Sequence, residues 1–325
     1  MKLLIAIPAL NEEQSIRSII ERTLAAQSHV LENSAVTSVE IAVVSDGSTD
    51  RTVELAREFV GRINLIVFPE NRGYGAAIME AWAQTDAELL SFLDADGTCD
   101  PRFFADLCRA LEERQADVVL GCRMNPASRM PFLRRLGNNL FALLLAKLSN
   151  KRVKDTASGM RVVRRSALRH LYPLPARLHF TPAMSARAML ADSVRITEID
   201  MPYAEREGRS KLSVVKDGLR FLGVILATAL LYRPGKLLIA VAMLAAACAA
   251  ALMVEPVIHY WQSRTVDDWM IYRFLVASLL AQVSLLAWGA SGISTRIVSV
   301  AIQEEIHSND SSPRPQLPYA TSSAG

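Results

Sequence analysis

Short apolar runs alternate with helix-like segments over the first 120 positions. Runs rich in β-forming residues occupy 3–7, 39–44, 64–68, 88–93 and 118–120. Helical patterns are predicted between them at 11–26, 53–60, 75–83 and 102–112. Strands that alternate with helices indicate a parallel, doubly wound sheet. Ligands of such sheets bind beyond the carboxyl ends of the strands, so the residues at those ends are the candidates for chemistry.

The pattern changes after residue 130, where longer helical segments take over. Residues 132–148 and 214–231 combine an apolar side with nearby basic residues, which is typical of amphipathic helices at a membrane interface. Residues 237–254 and 274–295 contain no charged residue, and their lengths are close to the roughly 20 residues that cross a bilayer. They predict two transmembrane helices. For all four segments, a helix packed into a protein core is the alternative.

These segments predict an α/β domain over 1–212, an interfacial helix over 213–233, two transmembrane helices with a short external loop over 235–296 and a disordered tail over 307–325. Basic residues flank the two spans, which places both termini and the α/β domain in the cytoplasm by the positive-inside tendency. The apolar run at 3–7 is too short for a secretory signal. We therefore expect a multi-pass protein of the inner (cytoplasmic) membrane.

Charge is divided unevenly along the 325 residues, although the net charge is only +3. Residues 1–120 carry 10 basic and 20 acidic side chains, whereas 121–177 carry 13 basic side chains and one acid, Asp155. A basic block favours an anionic partner: nucleic acid, phospholipid or a phosphorylated substrate. The hydrophobic helices beside this block argue against nucleic acid. The four cysteines form no CxxC pair, which argues against the usual zinc and disulfide frameworks.

Asp94-Ala95-Asp96 follows the predicted strand at 88–93 and is the most informative short motif. In an extended segment, residues i and i+2 point to the same side. Two carboxylates placed in this way repel each other unless a cation lies between them. Mg²⁺ and Mn²⁺ take ligands from one or two carboxylates together with substrate phosphates. Gly73-Tyr74-Gly75 is not a dinucleotide-binding fingerprint, because Ile78 stands at its third glycine position.

Several motifs, taken in order, resemble family 2 glycosyltransferases of the GT-A fold. They are Ile7–Glu12 (IPALNE), Val44–Asp50 (VSDGSTD), Asn71–Gly75 (NRGYG), Leu93–Asp96 (LDAD), Gly121–Arg123 (GCR), Asp155–Arg161 (DTASGMR) and Gly208–Lys211 (GRSK). The last three resemble the branch that includes dolichyl-phosphate mannose synthase and bacterial polyprenyl-phosphate glycosyltransferases. The resemblance covers about residues 1–231 and implies that the α/β domain is the catalytic domain.

The resemblance also implies roles for individual residues. Nucleotide-binding residues would be Pro8, Asn11, Glu12, Asp46, Asp94 and Ser210, with Asp46 accepting a hydrogen bond from the base. Asp94 and Asp96 would hold Mg²⁺ or Mn²⁺ on the diphosphate. Asp96, Arg123 and Lys211 would be catalytic. The acceptor phosphate would contact Arg123, Arg134, Arg135, Asn138, Ser158, Arg161 and Arg206. One departure concerns the base and ribose contacts, since many relatives have Asp where this chain has Ser45.

The choice of acceptor decides which groups the chemistry requires. A phosphomonoester has a second pKa of about 6, so it is largely a dianion at neutral pH and needs no strong general base. It needs cations, and the guanidinium fork of arginine binds phosphate with two hydrogen bonds. A neutral hydroxyl acceptor would instead need a carboxylate base. Asp96 or Asp155 is available for that role in the sequence.

We therefore expect a metal-dependent transfer of one sugar from a UDP- or GDP-sugar to a polyprenyl phosphate at the cytoplasmic membrane face. The family resemblance implies that the transfer inverts the sugar carbon. The alternatives are a family 2 enzyme with another lipid acceptor, such as a diacylglycerol or a polyprenyl diphosphate, and a catalytically idle membrane scaffold that binds nucleotide sugar or lipid. The expected partners are a nucleotide-diphosphate sugar, a polyprenyl phosphate and the membrane. A homo-oligomer is compatible with the sequence.

Overall fold

The computed structural model describes residues 1–126, 128–204 and 214–310, with backbone alone at 214–216 and 298–310. This part of the chain forms two compact units, one over Met1–Thr228 and one from Ala229 onward. The boundary falls inside a helix, Val214–Tyr232, rather than in a loop.

A mixed, mostly parallel sheet of seven strands forms the centre of the first unit. The strands are β1 (Lys2–Ala9), β2 (Ser38–Asp46), β3 (Asn64–Phe68), β4 (Leu89–Leu93), β5 (Val118–Cys122), β6 (Met160–Arg164) and β7 (Ile196–Asp200). Their order across the sheet is β3-β2-β1-β4-β6-β5-β7. The first five strands match the five predicted apolar runs, so the predicted fold class is confirmed.

One strand runs against the others. β6 is antiparallel to both β4 and β5, with Leu93 opposite Met160 and Leu120 opposite Arg161. β5 ends at Cys122 at the carboxyl edge of the sheet, and β6 begins at the same edge, where Met160 pairs with Leu93 at the end of β4. The chain therefore re-enters the sheet from the edge where it left, and β6 runs in the opposite direction. The start of β6 therefore lies beside the end of β4.

Helices cover both faces of the sheet. The helices that lie wholly or partly in the first unit are α1 (Ile16–Asn33), α2 (Thr52–Arg57), α3 (Tyr74–Ala83), α4 (Phe104–Glu113), α5 (Phe132–Leu148), α6 (Leu168–Leu171), α7 (Phe180–Leu190) and α8 (Val214–Tyr232). One buried apolar cluster packs α1 and α4 against β1, β2 and β4. An aromatic cluster on the other face joins Trp82 of α3, Phe92 of β4 and Phe180 of α7, with ring centroids 5.7 to 6.2 Å apart.

The first helix begins five residues later than the pattern predicts and ends seven residues later. Loop hydrogen bonds account for the late start. The Glu12 amide donates to Thr52 Oγ1 at 2.8 Å, and the Glu13 amide donates to Asp50 Oδ2 at 3.1 Å. Asn11 adopts a left-handed backbone with φ 49°. These contacts hold residues 11–13 as a loop against the end of β2, and the helix starts only after them.

Two long helices make up the second unit, α9 (Pro234–Ser263) and α10 (Asp268–Asp310). Each contains a 30-residue segment that is long and apolar enough to cross a membrane, and only 11% of the most apolar window in each is buried in the protein. A helix of a soluble core would be mostly buried, so this exposure favours membrane spans. The two helices pack against each other, and Ser284 Oγ donates to the Ala242 carbonyl at 2.8 Å.

The last helix, α10, extends into the segment 307–325 that the sequence predicts as a disordered tail. α10 continues to Asp310, so residues 307–310 are helical. The sequence explains this, because no glycine or proline interrupts 296–310 and the next proline is Pro313. Residues 311–325 lie outside the described part of the chain.

Candidate active site

The loops that follow β1 and β2 are tied to each other at the carboxyl edge of the sheet. Asn11 Oδ1 accepts from the Thr49 amide at 2.8 Å, and the Asn11 amide donates to Ser48 Oγ at 3.1 Å. Glu12 follows in the same loop and is half-buried, whereas Pro8 is buried within β1 opposite Val44. Three residues predicted to line the nucleotide pocket therefore lie together at one strand end.

Asp46 ends β2 and holds the start of α3. Its carboxylate accepts from the Arg72 amide at 2.7 Å and from the Gly73 amide at 3.0 Å. The backbone at Gly73 requires glycine, because φ is 112° and an added Cβ would lie 2.5 Å from the Ala176 carbonyl oxygen. Asp46 thus fixes the turn into α3. The neighbouring Ser45 is buried, and its hydroxyl has no hydrogen-bond partner within the described residues.

Asp94 and Asp96 lie just beyond the end of β4, and each accepts a hydrogen bond from a hydroxyl group. The Tyr74 hydroxyl donates to Asp94 Oδ1 at 2.6 Å. Thr98 Oγ1 donates to Asp96 Oδ1 at 2.6 Å, and the Thr98 amide donates to the same oxygen at 3.2 Å. Burial and the negative charge of Asp94 raise the pKa of Tyr74 well above its ordinary value. The phenol is therefore a proton donor throughout the neutral range.

The two carboxylates fit a divalent cation that takes its other ligands from substrate. Among the described residues, no three His, Cys, Asp or Glu side chains form a cluster that could hold a metal ion. Mg²⁺ in phosphate-binding sites uses one or two carboxylates plus phosphate oxygens and water, so two protein ligands suffice. An added Cβ at Gly159 would lie 1.9 Å from Asp94 Oδ2. Glycine at this position leaves the space that the Asp94 carboxylate occupies.

Arg123 and Asp155 form a buried ion pair beyond the end of β5. Arg123 Nε donates to Asp155 Oδ2 at 2.7 Å, one Nη donates to Oδ1 at 2.9 Å, and the Arg123 amide donates to Oδ2 at 3.0 Å. Burial alone would raise the pKa of Asp155, but the Arg123 charge and its hydrogen bonds hold that pKa below its ordinary value. Asp155 is thus a carboxylate committed to Arg123, which makes it a poor general base.

Asn138 connects α5 to this ion pair. Its side-chain NH₂ donates to Asp155 Oδ1 at 3.1 Å and to the Lys154 carbonyl at 3.0 Å. Its side-chain oxygen accepts from the Thr156 amide at 3.1 Å and from Thr156 Oγ1 at 2.8 Å. Asn138 is buried and clamps 154–156 onto the helix.

Ser158 and Arg161 lie inside the protein rather than on its surface. Ser158 Oγ donates to the Gly121 carbonyl at 2.7 Å, and an Arg161 Nη donates to the Ser158 carbonyl at 2.8 Å. The Arg161 guanidinium packs 5.3 Å from the centre of the Phe92 ring, and burial lowers the pKa of Arg161 to about 10. Arg161 therefore places a buried positive charge behind the Asp94 and Asp155 carboxylates.

Two of the other predicted acceptor residues belong to the start of α5. Arg134 and Arg135 are in the first turn of α5, partly exposed, and one Arg135 Nη donates to the Ser128 carbonyl at 3.1 Å. Arg206, Ser210 and Lys211 lie outside the described residues. The structure thus brings Arg123, Asn138, Ser158 and Arg161 together around Asp155. Their predicted contacts with an acceptor phosphate stay predictions.

The outer side of α5 is apolar and exposed. Its exposed large hydrophobic residues are Phe132, Leu133, Leu136, Leu140 and Leu143, with Phe132 at 79% exposure. The inner side carries Asn138, whose contacts reach the Arg123–Asp155 pair. A single helix therefore joins a surface suited to lipid with the carboxyl edge of the sheet. α8 lies close to α5, with the Phe141 and Phe221 ring centroids 6.4 Å apart.

Three residues with contacts in the site carried no predicted role. Tyr74 and Thr98 donate to the two aspartates. Glu198 of β7 accepts from the Lys154 amide at 2.9 Å and from the Asp155 amide at 3.2 Å. The sequence offered a sign that Tyr74 has a role in the site, because a tyrosine between two glycines at the start of a helix is an unusual position for a core residue. It offered no such sign for Glu198, whose contact depends on the pairing of β7 with β5.

The sequence profile described as Glycosyl transferase family 2 matches residues 4–172. That is half of the chain, and it contains the strand ends and most of the site described above. The chain belongs to glycosyltransferase family 2.

Relatives with assigned functions act on lipid-linked phosphates or glycans. The dolichyl-phosphate hexose transferase of Haloferax volcanii is 33% identical over 222 residues, which cover 66% of this chain and 89% of that protein. The low-salt glycan biosynthesis hexosyltransferase Agl6 of the same organism is 31% identical over 69% of this chain and 53% of its own length. The dodecaprenyl-phosphate galacturonate synthase of Rhizobium johnstonii is 28% identical over 66% and 62%. The chain thus spans about half of Agl6.

Among solved structures, glucosyl-3-phosphoglycerate synthase from Mycobacterium tuberculosis has a similar fold. Its complex with Mn²⁺, UDP and glucosyl-3-phosphoglycerate superposes with a TM-score of 0.56 at 21% sequence identity, covering 70% of this chain and 80% of that one. At this identity the likeness concerns the fold alone, which is the GT-A type predicted from the motifs.

Proposed function

We propose that this chain transfers one sugar from a UDP- or GDP-sugar to a polyprenyl phosphate at the cytoplasmic face of the membrane, with inversion at the sugar carbon. The observation that carries the proposal is the arrangement along one sheet edge. The Asp94–Asp96 pair lies at the end of β4, the Arg123–Asp155 pair lies beyond β5, and Asn138 ties the second pair to the apolar-faced helix α5. Named relatives that act on dolichyl and polyprenyl phosphates support the same acceptor class.

The donor would lie across the ends of β1, β2 and β4. Pro8, Asn11, Glu12 and Asp46 are at the first two strand ends, where a nucleoside fits beside the loops that they join. Asp94 and Asp96 would hold Mg²⁺ or Mn²⁺, which supplies Lewis-acid neutralisation of the leaving diphosphate. We assign Ser210 and Lys211 to the diphosphate by their motif alone.

The acceptor would approach from the bilayer along α5. Arg134 and Arg135 in its first turn provide cations near an incoming phosphate, and Arg123 lies deeper, already paired with Asp155. An acceptor phosphate that is a dianion attacks the sugar carbon without a base. This agrees with the state of Asp155, whose lowered pKa and saturated hydrogen bonds suit it to positioning Arg123 rather than to accepting a proton. Asn138, Ser158 and Arg161 would act in the same way, by holding the segment around Asp155.

The direct experiment is a donor screen on the full chain purified in detergent. Radiolabelled UDP- and GDP-sugars are incubated with undecaprenyl phosphate and Mn²⁺ or Mg²⁺, and label is counted after organic extraction. We expect label in the organic phase with one donor, loss of label with EDTA, and loss in Asp96→Ala. The control Asp106→Ala removes an exposed carboxylate of α4 that pairs with Arg109 and should retain transfer.

Each other outcome has a definite meaning. The screen is repeated with diacylglycerol in place of undecaprenyl phosphate, and label that appears only with diacylglycerol overturns the acceptor assignment. Transfer that persists in EDTA and in Asp96→Ala overturns the metal assignment. No label with any donor, in a protein that binds nucleotide, would favour a different acceptor first and the idle scaffold second.

A further inference from the structure

Tyr74 is locked at the start of α3 by contacts on both sides of its backbone. Gly73 donates to Asp46, and an added Cβ at Gly73 or Gly75 would lie 2.5 or 2.3 Å from the carbonyl oxygens of Ala176 and Pro175. The Ala76 amide donates to the Ala176 carbonyl at 2.9 Å. The turn therefore has one position relative to the 175–176 segment, and it carries Tyr74 with it.

The Tyr74 ring is held by aromatic neighbours. Its centroid lies 6.1 Å from that of Phe92 and 6.4 Å from that of Phe180, and both rings meet it edge to face. Aromatic pairs prefer this geometry. A ring fixed in this way directs its hydroxyl to one point, and that point is Asp94 Oδ1 at 2.6 Å.

Asp94 is enclosed on its other side as well. Its Oδ2 occupies the space that a side chain at residue 159 would fill. The Asp94 carboxylate thus lies between a phenol that donates to one oxygen and a glycine that leaves room for the other. Asp96 is held differently, by the hydroxyl and amide of Thr98 in its own loop. The Asp94 contact joins residues 20 positions apart in the chain.

We propose that Tyr74 is the positioning residue for the metal ligand Asp94. Its hydrogen bond sets the orientation of the carboxylate before the cation arrives, so that less ordering is needed on binding. Because Asp46 holds the same turn through Gly73, one structural unit joins the nucleobase side of the site to the metal side. The inference rests on the proposed function, which assigns Asp94 and Asp96 to a divalent cation.

The test measures cation binding rather than turnover. The full chain in detergent is titrated with Mn²⁺ alone, and unbound ion is followed by its EPR signal. Partners that orient metal ligands typically contribute about 10- to 100-fold to affinity. We expect Tyr74→Phe to weaken Mn²⁺ binding by that factor, with an unchanged melting temperature and unchanged nucleotide binding in EDTA. The matched control Tyr272→Phe removes a phenol from an exposed position in α10 and should bind as wild type does.

A second variant separates the hydrogen bond from ring packing. Phe180→Leu removes one of the rings that hold Tyr74 but keeps the hydroxyl, so it should lose stability while its Mn²⁺ affinity falls less than that of Tyr74→Phe. Wild-type affinity in Tyr74→Phe, or an equal loss in Phe180→Leu, overturns the positioning role. If Asp96→Ala binds Mn²⁺ as wild type does, the metal assignment in the proposed function fails, and that result is distinct from a failure confined to Tyr74.

Discussion

Asp155 has a fixed charge in the folded chain because Arg123 surrounds its carboxylate with donors. Removing one partner of a buried ion pair leaves an uncompensated charge and typically costs about 3–5 kcal/mol. We therefore expect Asp155→Ala to lower the free energy of unfolding by about that amount, measured by denaturant unfolding in detergent. An exposed pair is worth about 0–1 kcal/mol, so Asp106→Ala, which breaks the Arg109 pair, should change little.

The same pair predicts a dependence of stability on pH. The pKa of Asp155 is lower in the folded chain than its ordinary value of 3.8. A lowered carboxyl pKa contributes stability above the unfolded value, and that stability is lost as the pH falls through the folded value. The difference in unfolding free energy between wild type and Asp155→Asn should be constant from pH 5 to pH 8 and shrink below about pH 4. A difference that grows in acid would contradict the ion pair.

Gly159 offers a second test at the residue scale. In Gly159→Ala the new methyl group would collide with Asp94 Oδ2, so the carboxylate must move. We expect transfer activity to fall at least about tenfold, the lower end of the cost of disturbing a metal ligand's support, and the far-UV circular dichroism to be retained. Gly137 of α5 is the matched control, since nothing lies within 4 Å of its Cβ position. Equal activity of the two alanine variants would mean that Asp94 tolerates displacement.

The location of a candidate site residue was predictable where that residue follows directly after a strand. Asp94 and Asp96 follow an apolar run, which predicts their location at the carboxyl edge of the sheet, where ligands of such sheets bind. The Tyr74–Asp94 hydrogen bond was not predictable, because it joins residues 20 positions apart through the packing of α3 on the sheet. The partner of Asp155 was also open in the sequence, where 13 nearby basic residues compete for one acid.

Elements were predicted best where their pattern was local. α5 has the predicted bounds, Phe132–Leu148, because its apolar side has a clear helical period. The direction of β6 was not predicted, since the alternation of strands and helices favours parallel pairing. The reversal follows from the point where the chain re-enters the sheet, beside the end of β4. α1 began late for a similar reason: loop contacts with β2 override the helical pattern of residues 11–13.

α5 should lie in the headgroup region of a bilayer with its leucines toward the acyl chains. A nitroxide at Leu140→Cys, in a Cys248→Ser background, is expected to be more accessible to oxygen than to a water-soluble nickel complex when the chain is in nanodiscs. Leu31→Cys on α1 is the control, because Leu31 is also an exposed leucine but belongs to a helix without an apolar outer face. Equal nickel accessibility at both sites would exclude membrane contact by α5.

The whole molecule joins a family 2 glycosyltransferase unit to two helices that are fit to span a membrane. The proposed sidedness predicts that the loop between α9 and α10 is external. Thr265→Cys, in the Cys248→Ser background, should react with an impermeant maleimide on intact spheroplasts. Glu32→Cys, an exposed position in α1, should react only after lysis. The opposite pattern would reverse the orientation and place the catalytic unit outside the cell.

The reversed strand β6 divides the sheet into two blocks of parallel strands. One block, β3-β2-β1-β4, carries the proposed donor contacts, and the other, β5 with β7, carries Arg123 and the link to α5. β6 lies between the two blocks. It directly follows the loop that contains Asp155, and its first residue, Met160, pairs with Leu93 next to Asp94. Exchange of the first hundred residues with those of a relative should therefore change the preferred sugar nucleotide and preserve the lipid preference. Modularity of this kind would let donor and acceptor specificities diversify independently within the family.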